Sequence, residues 1–427
     1  LLQGLKTLEY RGYDSAGIAV LQNGVTALYK KPGKVLNLQN SIPEHLSGTV
    51  GIGHTRWATH GIVNELNAHP HKVEHLSFIH NGIIENFQDL RESLMEIGYK
   101  FKSDTDTETF GHLVLETLKQ TPDLPTAVRM AFRRIKGTAT IVMIDEKNPD
   151  QVIAIKRGTP LVTYQTEEGG FIASDPLALM PYTNKIFRLT DNEMVILNRN
   201  SLKVYDVEGN PVEHKAEVLH AVQGEVTRGE YDHFMLKEMM EQEISMVNTL
   251  SPNLVRDPLD LRIEVLEELS PSLRQINRVV AIACGTASYA CLSFKYLAEK
   301  HLRIPVEVDF ASEFRYRKPV VDNKTLFLCI SQSGETADTI AALEEAKSKG
   351  AICLCICNVR NSSMVKIAHG TIYTNSGHEI CVCSTKAFTS QLFVNCMLVY
   401  KLGEILARPL PKDYLEKLLL VPSNVSL

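Results

Sequence analysis

The sequence predicts an α+β N-terminal domain of stacked sheets, followed by an α/β doubly wound domain. In the first ~220 residues, short strand-like segments alternate with turns and a few helices, which is typical of stacked sheets covered by helices. In the second half, uncharged strand-like runs alternate with helices, which is the pattern of a parallel sheet. A chain of 427 residues with 44% hydrophobic residues can bury two or three such cores.

Composition and charge narrow the class of function. The net charge is -5, with 45 Lys and Arg against 50 Asp and Glu, so the chain has no basic field for nucleic acid. No apolar run approaches the roughly 18 residues of a membrane span, and no cleavable signal precedes the first helix-like segment. We therefore expect a cytoplasmic protein that binds neither nucleic acid nor membrane.

The cysteines have an uneven distribution, because all nine lie between Cys284 and Cys396. Cys353, Cys355 and Cys357 alternate along one strand-like run and can share one face of it. No His or carboxylate lies at ligand spacing around them, so we expect packing there rather than a metal site. Disulfides are not expected in a cytoplasmic protein.

The first residues indicate that the natural N-terminus is missing. Residues 1–8 have the pattern of an amphipathic helix, and the chain starts inside it without Met. Residues 10–17 are then expected to turn into a strand at 18–21.

Polar side chains gather after a second predicted strand, residues 50–53. Residues 54–61 include Arg56, the only Trp of the chain at position 57, two His and two Thr. Such a density suits a site for a small zwitterion, although an Arg-Trp pair is also common in ordinary packing.

Two further segments carry oxyanion or helix-capping chemistry. Residues 76–80 predict a strand that leads into Asn81-Gly82, a pair expected to turn the backbone and able to offer an N–H and an amide to one oxyanion. Residues 103–108 are expected to cap a helix over 109–119. An ordinary hairpin turn and an ordinary helix cap remain the simpler interpretations.

Further strands of the first half are predicted at 139–144, 151–155, 171–173 and 194–197, with a turn at 147–150.

The second half begins after a predicted linker, residues 223–230. A helix is expected from 231 through 246, followed by a Pro- and charge-rich connection over 251–271. About five parallel strands should follow, with helices between them. The strands are predicted at 278–283, 306–310, 325–330, 351–357 and 371–374, and the helices at 289–300, 337–349 and 385–402.

The segment 325–336 has the pattern of a phosphate cradle. An uncharged strand ends in hydroxyls and Gly334, and a helix follows. Free backbone N–H groups and the positive end of the helix dipole favour an anion at such a position. A capping loop with spare serines is the alternative.

Four motifs of the first half resemble the class II glutamine amidotransferase domain, of the Ntn type, in the glutamine–fructose-6-phosphate aminotransferase (glucosamine-6-phosphate synthase) family. They are Tyr10–Gly17, His54–Gly61, His80–Gly82 and Thr105–Glu108. The resemblance implies that Arg56 and Asp106 hold the carboxylate and amino group of glutamine. It also implies a pocket lined by Thr59 and His60, an oxyanion hole formed by Asn81 and Gly82, and an ammonia gate at Trp57.

The second half resembles a sugar isomerase (SIS) domain of the same family, in the motifs Ala311–Arg317, Ser331–Thr339 and Ser384–Thr389. The resemblance implies a phosphosugar site, in which the phosphate is held by Ser331, Gln332, Ser333 and Thr336 and the sugar is contacted by Thr286, Val382 and Ser384. Ala287 departs from the family's usual Ser, whose hydroxyl Ser288 could replace. Cys383 replaces a usual Ala and is expected only to pack.

The family pattern also predicts that the sequence is a fragment. The family's nucleophile is an amino-terminal Cys with its own α-amino group as base, whereas the first Cys here is Cys284. A second SIS repeat with the isomerase Lys, Glu and His is also expected beyond Leu427. The predicted domains are 1–222 (amidotransferase), 223–270 (linker and connecting helix), 271–410 (first SIS domain) and 411–427 (start of a connector).

The resemblance implies glutamine-dependent amination and isomerisation of fructose 6-phosphate to glucosamine 6-phosphate, with no metal or organic cofactor, in a homodimer. Three other functions stay open. Another class II amidotransferase, making phosphoribosylamine or asparagine, would need a pyrophosphate or ATP site that residues 331–336 do not resemble. A non-catalytic phosphosugar-binding or ammonia-dependent protein fits if the missing Cys is genuine. An isolated isomerase would leave Arg56, Asp106 and Asn81 unexplained.

Overall fold

The structure, a computed structural model, describes residues 1–9, 12, 14–57, 61–218, 228–411 and 413–425. Its contacts divide the chain into two compact units, Leu1–Ala221 and Val222–Leu427, each with its own hydrophobic cores. Most of the predicted linker at 223–230 lies outside the described residues. Across the described ranges, no helix is long and apolar enough to cross a membrane.

The N-terminal unit is rich in antiparallel strands. Its helices are α1 (Leu2–Leu8), α2 (Val35–Gln39), α3 (Phe87–Glu96), α4 (Thr107–Leu118) and α5 (Leu124–Arg134). Its strands are β1 (Ser15–Gln22), β2 (Val25–Pro32), β3 (Val50–Arg56), β4 (His71–Val73), β5 (Leu76–Ile84), β6 (Gly137–Asp145), β7 (Asn148–Arg157), β8 (Val162–Gln165), β9 (Gly170–Ala173), β10 (Lys185–Arg188), β11 (Glu193–Asn198), β12 (Ser201–Asp206), β13 (Pro211–Val212) and β14 (Glu217–Val218).

These elements form the predicted stack of sheets with helices outside. A three-stranded sheet (β2-β1-β3) packs on a seven-stranded sheet (β13-β12-β11-β7-β6-β5-β4), with a four-stranded sheet (β14-β10-β8-β9) beside them. Alternation along β6 explains the layers, because Val142 and Ile144 face the three-stranded sheet whereas Ile141 and Met143 face α4 and α5. Helices α1 and α2 cover the other face of the three-stranded sheet.

Several predicted boundaries in this unit were wrong. The strand predicted at 50–53 continues through Arg56, and the turn predicted at Asn81-Gly82 lies within β5. Pairing with β6 over nine residues holds β5 extended, which overrides the local turn preference. Residues 148–150, predicted as a turn, begin β7, because a two-residue turn already joins β6 and β7.

The C-terminal unit follows the predicted α/β order. Its helices are α6 (Phe234–Met240), α7 (Gln242–Leu250), α8 (Glu264–Leu273), α9 (Thr286–His301), α10 (Ala311–Phe314), α11 (Ala337–Ser348), α12 (Ser363–Ile367), α13 (Lys386–Ile405), α14 (Tyr414–Leu419) and α15 (Val421–Val425). Its strands are β15 (Leu254–Arg256), β16 (Leu259–Leu261), β17 (Arg278–Ala283), β18 (Val306–Phe310), β19 (Thr325–Ser331), β20 (Ile352–Cys357) and β21 (Gly370–Tyr373).

Five of these strands form the predicted parallel sheet, in the order β18-β17-β19-β20-β21. Helices α7, α8, α9 and α13 cover one face, and α10, α11 and α12 cover the other. The strand order reverses between β17 and β19, so the carboxyl ends of these strands border the crevice in which doubly wound sheets bind ligands.

Three predictions in this unit needed correction. The helix expected from 231 through 246 is two helices, which meet at Glu241. The connection expected over 251–271 contains the β15–β16 hairpin and most of α8, whose interior tolerates Pro271. Helix α9 begins at Thr286, three residues before the predicted start, so the loop after β17 is short.

Candidate functional sites

The N-terminal unit brings Arg56 and Asp106 within electrostatic reach of each other. Arg56 ends β3 and Asp106 precedes α4, and the two are 5% and 4% exposed. Burial lowers the pKa of the Arg56 guanidinium, and the carboxylates of Asp106 and Asp14 partly offset that effect. A buried cation beside a buried carboxylate complements the carboxylate and ammonium of an α-amino acid.

Asp106 also fixes the end of β5. Its Oδ2 accepts a hydrogen bond of 2.8 Å from the Ile84 N–H, and the Thr107 hydroxyl donates to Oδ1 at 3.4 Å. The capping role expected for residues 103–108 therefore differs in detail, because Asp106 occupies the N-cap position of α4 without capping it by a side-chain hydrogen bond. The helix itself begins at Thr107 rather than Thr109.

Glu108 binds the loop that precedes α4 through hydrogen bonds to its carboxylate. Its carboxylate accepts hydrogen bonds from the N–H groups of Lys102 and Ser103 and from the Ser103 hydroxyl, at 2.6 to 3.0 Å. Burial raises the pKa of Glu108, but these bonds and the one from His112 outweigh it and lower the pKa to about 2. The loop before Asp106 is therefore held by a permanent negative charge.

Asn81 and Gly82 lie in β5, with Thr140 and Ala139 of β6 opposite them. Alternation sends the Asn81 side chain toward a cavity of about 980 Å³ between the sheets, whereas His80 is directed at Thr107 of α4. Gly82 has φ of 138°, and a Cβ there would lie 2.1 Å from the Thr138 carbonyl oxygen. Only glycine allows the strands to approach so closely at this point.

The same cavity is lined by Trp57, which follows Arg56 directly and is 53% exposed. His54, Asn81 and Gly82 line it as well. Thr59 and His60, the other two predicted pocket residues, lie outside the described residues. The structure thus places the predicted ammonia gate and oxyanion pair on one cavity.

A cluster of buried histidines beside this site was not predicted. His69 stacks on His54 with ring centroids 4.5 Å apart and meets His71 edge-on at 4.8 Å. The His69 Nδ1 accepts the His80 N–H at 3.2 Å, and the His71 Nε2 lies 3.2 Å from the Thr105 hydroxyl. Burial lowers the pKa of His71 to about 3 and that of His69 well below its ordinary value. The sequence signal was the density of His, four over residues 69–80, with no local pattern to show that three of them meet.

In the C-terminal unit, residues Ser331–Thr336 form a compact loop between β19 and α11. The Ser331 hydroxyl accepts the Gly334 N–H at 3.0 Å, and the Ser333 hydroxyl accepts the Glu335 N–H at 3.2 Å. Thr336 occupies the N-cap position of α11 without a capping hydrogen bond from its side chain. Helix α11 has twelve residues, so its first N–H groups and its dipole are directed at this loop.

Residues after β20 hold this loop in place. Gly334 has φ of 66°, and a Cβ there would lie 2.1 Å from the Ser362 hydroxyl oxygen. The Gly334 carbonyl accepts the Met364 N–H at 3.0 Å, and the Glu335 carboxylate accepts the N–H and hydroxyl of Ser363 at 3.0 and 2.7 Å. Glu335 is therefore engaged at α12.

Thr286 follows β17, and the Ser331–Thr336 loop follows β19, the neighbouring strand at the reversal of strand order. It is exposed at the start of α9, and the Thr339 hydroxyl donates to the Cys284 sulfur at 3.8 Å between the two loop regions. Ser288 does not replace the hydroxyl that Ala287 lacks, because it is buried and donates to the Gly285 carbonyl at 2.7 Å. Ala287 packs against the core.

Val382 and Ser384 lie between β21 and α13, on residues 379–385, which we call the sugar loop because they carry these two predicted sugar contacts. Val382 is 58% exposed, and the Ser384 hydroxyl donates to the Glu379 carboxylate at 3.1 Å. Cys383 was expected to pack but is exposed, as is Val382 beside it.

Asn358, which was not predicted, links the two parts of this site. Its N–H donates to the Gln332 carbonyl at 3.2 Å. Its side-chain oxygen accepts from the Thr374 hydroxyl and from the N–H and hydroxyl of Ser376, and its amide donates to the Gly377 carbonyl. An Asn after a strand is too common in loops for this role to be visible in sequence.

Cys353, Cys355 and Cys357 share one face of β20, as predicted, and pack with Cys329. Burial raises the pKa of Cys353 to about 12 and that of Cys357 to about 11. No group of three or more His, Cys, Asp or Glu side chains that could hold a metal ion occurs in the described part of the chain.

Comparison with known domain families defines the class of protein. The glutamine amidotransferase domain family matches residues 54–181, and the SIS domain family matches residues 272–401. The chain therefore joins a glutamine amidotransferase domain to a SIS domain.

Relatives with the same combination identify the family. The chain is 44% identical to a glutamine–fructose-6-phosphate aminotransferase (isomerising) of Clostridium tetani, over 92% of this chain and 64% of the relative. It is 41% identical to that of Clostridium acetobutylicum (98% and 69%) and 42% identical to that of Chlorobaculum tepidum (100% and 71%). The chain belongs to the family of isomerising glutamine–fructose-6-phosphate aminotransferases, and it spans about two thirds of the length of these relatives.

Two solved structures are also similar. The C-terminal domain of glucosamine-fructose-6-phosphate aminotransferase from Francisella tularensis has 33% identity and a TM-score of 0.45, over 48% of this chain and 56% of that one. The glutamine phosphoribosylpyrophosphate amidotransferase of B. subtilis has 19% identity and a TM-score of 0.41, over 83% and 78%.

Proposed function

We propose that this chain supplies the glutamine site and a phosphosugar site of an enzyme that converts fructose 6-phosphate and glutamine to glucosamine 6-phosphate and glutamate. The observation that carries the proposal is the pairing, in one chain, of a buried Arg56–Asp106 site with an anion cradle at Ser331–Thr336. The identity of 41–44% to relatives that bear this enzyme's name supports it.

In the first half-reaction, Arg56 binds the α-carboxylate of glutamine and Asp106 binds its ammonium, with Thr59 and His60 lining the same pocket. A nucleophile adds to the side-chain carbonyl carbon, and the electron pair of the C=O bond moves to oxygen. The Asn81 amide and the Gly82 N–H stabilise that oxyanion. Its collapse breaks the carbon–nitrogen bond, and the nitrogen leaves as ammonia with the proton that the nucleophile gave up. Water then hydrolyses the bond between the acyl group and the nucleophile, which releases glutamate and regenerates the nucleophile. Trp57 gates the path of the ammonia.

In the second half-reaction, Ser331, Gln332, Ser333 and Thr336 hold the phosphate of fructose 6-phosphate, and Thr286, Val382 and Ser384 contact the sugar. The N-terminus of α11 adds its dipole to the phosphate site. Ammonia adds to the ketone carbon, water leaves, and proton transfer between the first two carbons gives the amino sugar. The ketone accepts the amine directly, so the reaction needs no metal or organic cofactor.

We further propose a cytoplasmic homodimer that uses these two small molecules and binds neither nucleic acid nor membrane. Size-exclusion chromatography with light scattering tests the dimer directly. A monomer at micromolar concentration would contradict it.

The function is tested on the product of the complete reading frame that encodes this chain, by measuring glucosamine 6-phosphate formation with glutamine or with ammonium. Arg56→Ala should abolish the glutamine-dependent rate and spare the ammonium-dependent rate, whereas Ser333→Ala should lower both. Exposed Arg199→Ala and Ser348→Ala are the matched controls. Wild-type protein that forms no glucosamine 6-phosphate from either nitrogen source would refute the proposal.

A further inference from the structure

The sugar loop is attached to a helix far away in sequence through one carboxylate. Glu238 of α6 accepts hydrogen bonds at Oε1 from the N–H groups of Ile380 (2.5 Å) and Cys381 (3.0 Å). Its Oε2 lies 3.3 Å from the Cys381 nitrogen, and the Thr385 hydroxyl donates to it at 3.5 Å. One side chain thus holds both ends of the segment that carries Val382 and Ser384.

A second carboxylate, which belongs to the loop itself, joins the two ends of the loop. Glu379 Oε1 accepts the N–H groups of Thr385 (2.8 Å) and Ala387 (3.0 Å), and its Oε2 accepts the Ser384 hydroxyl. Lys386, which follows the loop, pairs with Glu241 at 2.6 Å. Glu379 thus sets the shape of the loop, and the contacts from α6 set its place in the fold.

The burial of Glu238 is not explained by packing. It is the one buried residue among the seven of α6, at 2% exposure, whereas Met235, Leu236, Met239 and Met240 of the same helix are exposed. Burial raises the pKa of Glu238, since it disfavours the charged form. A buried carboxylate is costly unless hydrogen bonds compensate for its lost hydration, and the donors that do so here all belong to the sugar loop.

We propose that Glu238 is a positioning residue for substrate recognition, which sets affinity for the sugar part of the phosphosugar by fixing the sugar loop against the sheet. This inference rests on the proposed function of the phosphosugar site. The phosphate itself is bound by the Ser331–Thr336 loop, which Glu238 does not touch in the described residues. Loss of Glu238 should therefore weaken binding of the sugar selectively.

The test is calorimetric titration of the chain with fructose 6-phosphate and, separately, with inorganic phosphate. Glu238→Ala should weaken fructose 6-phosphate binding roughly tenfold or more, since it removes hydrogen bonds to a charged group, and change phosphate binding less than about twofold. Glu238→Gln keeps the Oε1 acceptor and should restore most of the sugar affinity. Partly exposed Glu243→Gln, on neighbouring α7, is the control.

Each outcome decides the inference. An equal loss for both ligands, or no loss for either, would overturn the positioning role and leave the phosphosugar site in place. Wild-type chain that binds neither ligand would overturn the proposed site, and the inference with it. If Glu238→Ala does not fold, Glu238→Asp decides, because its charge is retained while its shorter side chain loses reach to Ile380 and Cys381.

Discussion

Acid should destabilise the N-terminal unit, and His71 should account for a measurable part of the effect. His71 is 4% exposed, and its pKa is lowered to about 3, first by burial and then by the charge of Lys30. Arg56 and His54 lower it further, and the Glu108 carboxylate opposes them. The perturbation is His71→Gln, which keeps a polar side chain near the Thr105 hydroxyl but cannot take up a proton.

The magnitude follows from the two pKa values. Unfolded His71 takes up a proton near pH 6.5, and the folded residue does so only near pH 3. Stability is therefore lost as the pH falls below 6.5, since the unfolded state binds the extra proton. At pH 5 the loss is about 2 kcal/mol, at about 1.4 kcal/mol per pH unit below the unfolded value.

The assay is urea denaturation at pH 7 and pH 5, followed by fluorescence of Trp57, the only Trp of the chain, which reports on the N-terminal unit. Between these pH values, His71→Gln should lose about 2 kcal/mol less unfolding free energy than the unsubstituted chain. Exposed His45→Gln is the control. Equal pH dependence in His71→Gln and the unsubstituted chain would refute the reasoning, and would mean that folded His71 is protonated near its ordinary pKa.

Three further predictions concern the sites themselves. Gly82→Ala should destabilise the N-terminal unit by about 3 kcal/mol or more in urea denaturation, because its φ is positive and the Thr138 carbonyl oxygen is 2.1 Å from the new Cβ; an unchanged midpoint would contradict this. Gly334→Ala should weaken phosphate binding at least roughly tenfold in calorimetry, because the new methyl group displaces the loop from Ser362, and unaltered affinity would argue against the cradle. Fructose 6-phosphate should slow the alkylation of exposed Cys383, followed by mass spectrometry, and an unaffected rate would place the sugar elsewhere.

The parallel sheet could be predicted closely from sequence because its strands are buried on both faces. β17 has the predicted bounds, Arg278–Ala283, and β19 extends the predicted strand by one residue. A strand covered by helices on both sides needs an uninterrupted apolar run, and such a run has clear ends. The loop between β19 and α11 was also predictable, since hydroxyls and a glycine after such a run mark the start of a helix.

The antiparallel unit was harder to predict, because its elements depend on partners distant in sequence. Asn81-Gly82 has the local signal of a turn, yet β5 continues to Ile84 because β6 supplies a partner for each residue. Arg56 likewise belongs to β3, where Ser15 of β1 pairs with it. The turn preference of two residues contributes less free energy than a row of strand hydrogen bonds. Which strands pair cannot be seen in the local sequence.

The residues that hold the loops of the predicted sites were the least predictable, and they share one kind of interaction. Asp106 binds the Ile84 N–H, Glu108 binds the N–H groups of Lys102 and Ser103, and Glu238 binds those of Ile380 and Cys381. In each case a buried carboxylate accepts backbone donors rather than only pairing with a cation, so it fixes the path of a loop whatever side chains that loop carries.

These carboxylate–backbone hydrogen bonds also explain why the motif residues alone do not define the predicted sites. Asn81 and Val382 are predicted ligand contacts, and they lie on segments held by Asp106 and by Glu238, the latter up to 143 residues away in sequence. Backbone N–H groups are the same in every residue, so the partner of such a carboxylate cannot be read from residue type. A substitution that leaves every motif unchanged can therefore still move a site. We expect the largest effect of this kind at Glu238.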